Sequence, residues 1–135
     1  MTESSTYRFF NPNPVGSVRK RDCVIRAMCA VFDISWDDAF DLLAERAKQM
    51  GTTMDENAVY GSLLRQYGFN MATVPSYCPD CMTGREFCED NPTGIFVLGF
   101  DGHVAAVIHG QIWDTFDSGD EILMYYWFLP DEGEK

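Results

Sequence analysis

The sequence is poor in the features that assign a function by composition alone. Histidine occurs only twice, as His103 and His109, and lysine and arginine together ten times in 135 residues, against 21 acidic side chains and a net charge of −11. So acidic a chain offers no broad basic face to nucleic-acid phosphates. No apolar run is longer than the eight residues from Ile122 to Leu129, far short of the roughly 18 or more that a membrane span needs. The polar start Met1-Thr2-Glu3-Ser4-Ser5 leads into no apolar stretch of the secretory type. Five cysteines are an odd number, so a complete disulfide framework is excluded, and a chain with an ample core does not need one. Reduced thiols in a cytoplasmic protein are the expectation. The length suits one domain, residues 1–135, without internal repeat or linker.

The few basic residues are unevenly placed. Arg8, Arg19, Lys20, Arg21 and Arg26 are five of the ten, so the first 26 residues carry five basic against two acidic side chains. The remaining 109 carry five against 19. The Arg19-Lys20-Arg21 cluster stands directly against Cys23, either as a solvated turn or as a positive setting for a thiolate.

Residues 1–21 contain Asn11-Pro12-Asn13-Pro14 and Gly16, which break helices and predict an extended or turning arm. Asp22 then suits an N-cap, with Cys23 first in a strongly apolar helix reaching Phe32. Ser35 with Asp38 has the form of a capping box and opens a second helix, whose Trp36, Ala39, Phe40, Leu43 and Ala47 recur at helical spacing and which Gly51 ends. Thr53 and Glu56 repeat the capping pattern before a third helix that stops ahead of Gly68. A short strand is expected over Phe69 to Val74, and residues 75–92 read as a cysteine-containing loop. Gly94 to Phe100, His103 to Ile108, Gln111 to Asp114 and the apolar stretch Ile122 to Leu129 read as strands, with turns at Asp101-Gly102 and His109-Gly110. The fold class is α+β, with N-terminal helices packed on a C-terminal antiparallel sheet of about four strands.

A cysteine that starts a buried helix is a specific chemical setting. Unpaired N–H groups and the positive end of the helix dipole favour thiolate over thiol, and the same N–H groups can hold an oxyanion. A nucleophilic cysteine wants a histidine as proton shuttle and a further group to orient it. His103 begins a strand, whereas His109 sits at a hairpin tip and reads as a solvated turn residue. A two-residue turn at His109-Gly110 sets Ala106 against Trp113 and Ala105 against Asp114. His103 then lies opposite Phe116 and diagonal to Asp114, while Asp117 points to the other face. Cys23, His103 and Asp114 are the candidate catalytic residues. The plainer alternative makes Cys23 a small core residue and Asp114 a strand end.

Asp22-Cys23 at the head of a buried helix, then His103 to Ile108, then Ile112-Trp113-Asp114-Thr115, resembles the papain-like cysteine peptidases. The likeness is to the small bacterial and phage members related to the bacteriocin-processing peptidases, in which an Asp-Cys pair opens the helix. It spans residues 13 to about 118 through short motifs whose joint order carries it. The resemblance implies a papain-like fold and a thioester mechanism on a peptide or protein substrate, with no cofactor required. It also implies an oxyanion-stabilising glutamine a few residues before the cysteine, and none lies upstream of Cys23. Asn11, Asn13 and Ser17 are the nearby side chains, with Asn13 first for its amide.

Cys78-Pro79-Asp80-Cys81 with Cys88 has the form of part of a structural zinc site that lacks a fourth ligand; the alternatives are three cysteines that hold no metal, and a redox pair or disulfide. The rival to an enzyme is a non-catalytic protein-binding module. It would use the cysteine-rich loop, stabilised by zinc, and the aromatic stretch Tyr125 to Phe128 as its contact surface. Papain-fold acyl transfer and deamidation would use the same thioester chemistry as hydrolysis.

Overall fold

The computed structural model describes residues 5–16, 21–75 and 77–130. Helix α1, Cys23–Phe32, starts after Asp22, whose φ of −118° and ψ of 28° lie outside the helix, and stops at Asp33 in the left-handed region. Helix α2, Trp36–Met50, is capped by Ser35, whose hydroxyl accepts the Asp38 N–H at 3.0 Å. It ends at Gly51, where a φ of 73° turns the N–H back onto the Ala47 and Lys48 carbonyls. Helix α3 runs over Asn57–Gln66. The expected Thr53 cap does not form. The Thr53 hydroxyl donates to Asp55 at 2.7 Å, and Glu56 takes the N-cap position, because an acceptor two residues away competes with the helix for the hydroxyl. Phe40 also departs from expectation: it is 39% exposed and stacks on Trp36 at the rim of α2.

The strands are β1 Tyr7–Phe9, β2 Asn70–Thr73, β3 Ile95–Phe100, β4 His103–Ile108, β5 Gln111–Asp114 and β6 Tyr125–Phe128. They form one mixed sheet in the order β1-β5-β4-β3-β6-β2. The sheet is thus wider than the four antiparallel strands expected. At one edge Tyr7, Arg8 and Phe9 of the N-terminal arm pair in parallel with Ile112, Trp113 and Asp114. At the other, β2 pairs antiparallel with β6. The loop expected over residues 75–92 holds a fourth helix, α4, Gly84–Asp90. Thr83 and Glu86 close a reciprocal capping box at its start, which satisfies two backbone donors and lets a seven-residue helix stand. The expected strand from Ile122 shortens to β6, and Ile122 makes only an isolated bridge to Thr83.

Alternating side chains divide the core between the two faces of the sheet. Val97, Val104, Ala106 and Trp127 pack against α1, α2 and α3 through Met28, Leu43, Leu63 and Leu64. Leu98, Ala105, Val107 and Ile112 pack on the other face with Phe87 and Cys88 of α4 and with Leu123. Met28, Leu43, Leu64 and Val97 are fully buried, each contributing about 1.5–3 kcal/mol. This packing holds α1 across β4 and β5. The N-terminus of α1 therefore meets the end of the sheet where β4 begins and β5 stops.

Candidate active site

The tight turn at His109-Gly110 sets the register. Both residues have positive φ, 51° and 77°, the geometry of a two-residue hairpin that matches strand twist. Ala106 pairs with Trp113, Val107 with Ile112 and Ile108 with Gln111. His103 and Asp114 consequently share one parity and one end of the sheet, and the His103 Nε2 lies 2.6 Å from the Asp114 Oδ2. With Nε2 so occupied, the other ring nitrogen is left for Cys23, to which His103 also hydrogen-bonds. The structure brings Cys23, His103 and Asp114 together. His109 is exposed at the hairpin tip, and Asp117 pairs with Arg85 at 3.4 Å, away from the imidazole.

Electrostatics separate Cys23 from the other free cysteines. Burial pushes its thiol up. The His103 hydrogen bond, the Val104 N–H and the charges of His103 and Arg26 outweigh that and hold it below its ordinary 9.0. Burial acts to lower His103, yet its bonds to Asp114 and Cys23 raise it to about 9. Both shifts run in the direction that favours a thiolate–imidazolium pair. Cys29 and Cys88 are buried without such partners, and burial pushes them up to about 11 and about 12. Phe100 and Phe116 flank the imidazole, with ring centroids 6.2 Å and 4.9 Å away. His103 is left 13% exposed.

Asp114 is 1% exposed and every oxygen has partners. Its Oδ1 accepts Arg26 Nε at 3.0 Å and the Thr115 N–H at 2.7 Å, and Arg26 Nη2 forms an ion pair with the same oxygen at 2.9 Å. Its carbonyl accepts the Phe10 N–H at 2.8 Å and the Tyr7 hydroxyl at 3.1 Å, so the N-terminal arm braces the acid's backbone. Arg26 was not among the residues that sequence reasoning selected. The available signal was a single charge inside an otherwise apolar helix, four residues after Asp22 and three after Cys23.

The oxyanion assignments change. The Asn13 amide is not free to meet a substrate: its Nδ2 donates to Asp22 Oδ2 at 3.0 Å, its oxygen accepts the Val15 N–H at 2.9 Å, and the residue is buried. Ser17 lies outside the described residues. Asp22 does not cap α1 with its side chain either. Its carboxylate is taken by Asn13, by Trp36 Nε1 at 2.9 Å and by Arg26 Nη1. Among the described residues, no side chain caps the first N–H groups of α1, which leaves them to face an anion. Arg26 is the first to bond within the helix, to the Asp22 carbonyl at 2.8 Å. Of the basic cluster, Arg19 and Lys20 lie outside the described residues, and Arg21 is exposed on the wall of the cleft that Cys23 lines.

Cys23 and His103 open onto a cleft of about 580 Å³ whose walls include Val24, Met54, Asn57 and Tyr125. Tyr125 lies across Gly99, where a Cβ would fall 2.1 Å from its ring, and its hydroxyl meets that of buried Tyr60 at 2.6 Å.

The second cysteine group does not converge. Cys78 and Cys81 are joined as a disulfide, against the expectation of reduced thiols, and Cys88 points into the core beneath α4. Among the described residues, no group of three or more His, Cys, Asp or Glu is placed to hold a metal ion. No helix among them is long and apolar enough to cross a membrane. Comparison with protein-family models, with curated proteins and with solved structures finds no match for the chain.

Proposed function

We propose that the chain is a cysteine-dependent hydrolase of the papain-like kind, acting on a peptide or isopeptide carbonyl through a thioester. One observation carries this reading: Cys23, at the N-terminus of α1, is hydrogen-bonded to His103, whose Nε2 lies 2.6 Å from Asp114. Such a relay in a cleft is the arrangement that nucleophilic catalysis requires.

In this mechanism the Cys23 thiolate adds to the carbonyl carbon, and the α1 N–H groups hold the developing oxyanion. The amine leaves with a proton from the His103 imidazolium, and the C–N bond is exchanged for a thioester. Neutral His103 then takes a proton from the water that attacks the thioester, and the C–S bond breaks to release the carboxylic acid and restore the Cys23 thiolate beside the His103 imidazolium. Asp114 keeps the imidazole oriented throughout. An amine in place of water gives acyl transfer, and a side-chain amide as substrate gives deamidation.

The test is turnover of a panel of peptide, isopeptide and glutamine-amide substrates, with mass spectrometry for an acyl adduct on Cys23. New amino termini or freed lysine amines, lost on Cys23→Ala, are expected. A wild-type protein that forms no adduct and whose Cys23 reacts with iodoacetamide no faster than glutathione at neutral pH would end the proposal. The second reading, a binding module without turnover, is favoured by the engagement of the Asn13 amide with Asp22.

A further inference from the structure

We propose that Arg26 is a positioning residue for the Cys23 reaction, its guanidinium locking Asp114 in the orientation that presents one oxygen to His103. The inference rests on the reading just given and adds a residue which that reading does not use.

Arg26 is 4% exposed, on the third position after Cys23 in α1. A guanidinium taken so far out of water needs full pairing. It finds this between two buried carboxylates. Nε and Nη2 both address Asp114 Oδ1, at 3.0 and 2.9 Å, and Nη1 addresses Asp22. With the Thr115 N–H as second hydrogen-bond donor beside the ion pair, Oδ1 is fully engaged and Oδ2 is the oxygen turned to His103 at 2.6 Å. Without the guanidinium, rotation of the carboxylate about its Cβ–Cγ bond would be restrained by the Thr115 N–H alone on that side.

The far end of the guanidinium is held as firmly. Asp22 is fixed by Asn13 Nδ2 at 3.0 Å and Trp36 Nε1 at 2.9 Å, and its backbone forms the start of α1 immediately before the thiol. One rigid planar cation thus ties the residue that starts the nucleophile's helix to the acid that orients the imidazole. A lysine ammonium is a point charge on a flexible stem and cannot reproduce that two-sided fork. Among the described residues, the other charged and titratable groups facing the thiol are His103 on β4, Arg21 and Asp55 on the cleft walls, Tyr60 on α3 and Tyr125 on β6. None of these bridges the two carboxylates.

The experiment is the rate of site-resolved Cys23 alkylation by iodoacetamide, from about pH 4 to 10, for wild type, Arg26→Met and Arg26→Lys. Circular dichroism verifies the fold at each pH. The lower inflection of the profile reports formation of the thiolate–imidazolium pair. It should rise by roughly one unit in Arg26→Met and by about half of that in Arg26→Lys, because charge without the fork restores only part of the effect. A folded Arg26→Lys with the wild-type profile would overturn the proposal and reduce Arg26 to a countercharge. A folded Arg26→Met with that profile would remove even this. If neither variant folds, Asp22→Asn decides: losing a nearby anion directly lowers the inflection, whereas releasing Arg26 raises it, so an unchanged or lowered value overturns the inference. A wild-type Cys23 with an ordinary thiol profile refutes the enzymatic reading itself, and is thereby distinguished from failure of the Arg26 role alone.

Discussion

The substitution His103→Ala isolates the interaction on which the site depends. In the folded chain, burial alone would raise the Cys23 thiol, and the imidazole contributes both the leading hydrogen bond and the leading charge that oppose this. A hydrogen bond to a charged group is worth about 1.5–3 kcal/mol, which corresponds to roughly one to two pKa units. Below the thiol's pKa each unit upward removes tenfold of the thiolate. The variant should therefore be alkylated by iodoacetamide about ten- to a hundred-fold more slowly than wild type near pH 6. Peptide-resolved mass spectrometry supplies the internal standard, since Cys29 and Cys88 are buried thiols raised to about 11 and about 12 and should stay unlabelled in both proteins. The methyl group also removes the ring stacked between Phe100 and Phe116, so circular dichroism must show an unchanged fold. A folded variant that labels within about threefold of wild type would refute the reasoning, because the imidazole would then contribute under half a unit.

Three further outcomes are expected. His103, raised to about 9, contributes stability that is full below its ordinary 6.5 and is lost as pH rises through about 9. Cys23, lowered, contributes stability present above its ordinary 9.0 and lost as pH falls through its folded value, so between that value and 9 its contribution rises with pH and opposes the loss from His103. Wild-type urea stability should therefore fall less steeply between pH 6.5 and 9 than that of Cys23→Ser, which lacks the opposing thiol; equal slopes would deny the pairing. Asn13→Ala should cost about 1–2 kcal/mol of stability by releasing Asp22. It should slow turnover by less than tenfold, against the hundred- to thousand-fold loss of a true oxyanion donor, which kcat on any substrate found will decide. Gly99→Ala should destabilise by about 3 kcal/mol, since its Cβ would enter the Tyr125 ring; a urea midpoint within error of wild type would contradict the packing.

Local rules made the centre of the molecule legible. The apolar run from Cys23, the Ser35 cap and the Gly51 stop are each determined within a few residues, and α1 and α2 follow them. The His109-Gly110 turn propagates register along β4 and β5 with period two, which is why the contact of His103 with Asp114 could be reasoned out before any coordinates. What escaped was set elsewhere. Tyr7-Arg8-Phe9 is too short to show alternation and becomes β1 only because β5 offers an open edge. The Thr83–Glu86 capping box is a readable signal, but its helix carries only Phe87 and Cys88 toward the core, too few to show a period. Thr53 satisfies the same pattern and fails, since Asp55 captures its hydroxyl. In the site, Asn13 has the chemistry and proximity of an oxyanion donor, and neither discloses that Asp22, nine residues on, claims the amide.

The source of positive charge at the thiol is itself open to experiment. A surface cluster and an interior chain of charges predict different responses to salt. Inward from the cleft Cys23, His103, Asp114, Arg26 and Asp22 are each hydrogen-bonded to the next, so that with the thiol ionised and the imidazole protonated the charges alternate in sign along the chain. Asp22, Arg26 and Asp114 are all under 7% exposed. Ions approach such groups poorly, whereas exposed charges are screened over about 8 Å at physiological ionic strength and about 3 Å at 1 M. If Arg21 and its neighbours in sequence supplied the field, the lower inflection of the Cys23 alkylation profile should rise by half a unit or more between about 0.02 and 1 M potassium chloride. With His103 and Arg26 as the source, it should move by less than about 0.2 unit. A large salt shift would return the thiol's activation to the surface cluster, and a small one places it in the buried chain of ion pairs that an acidic exterior leaves undisturbed.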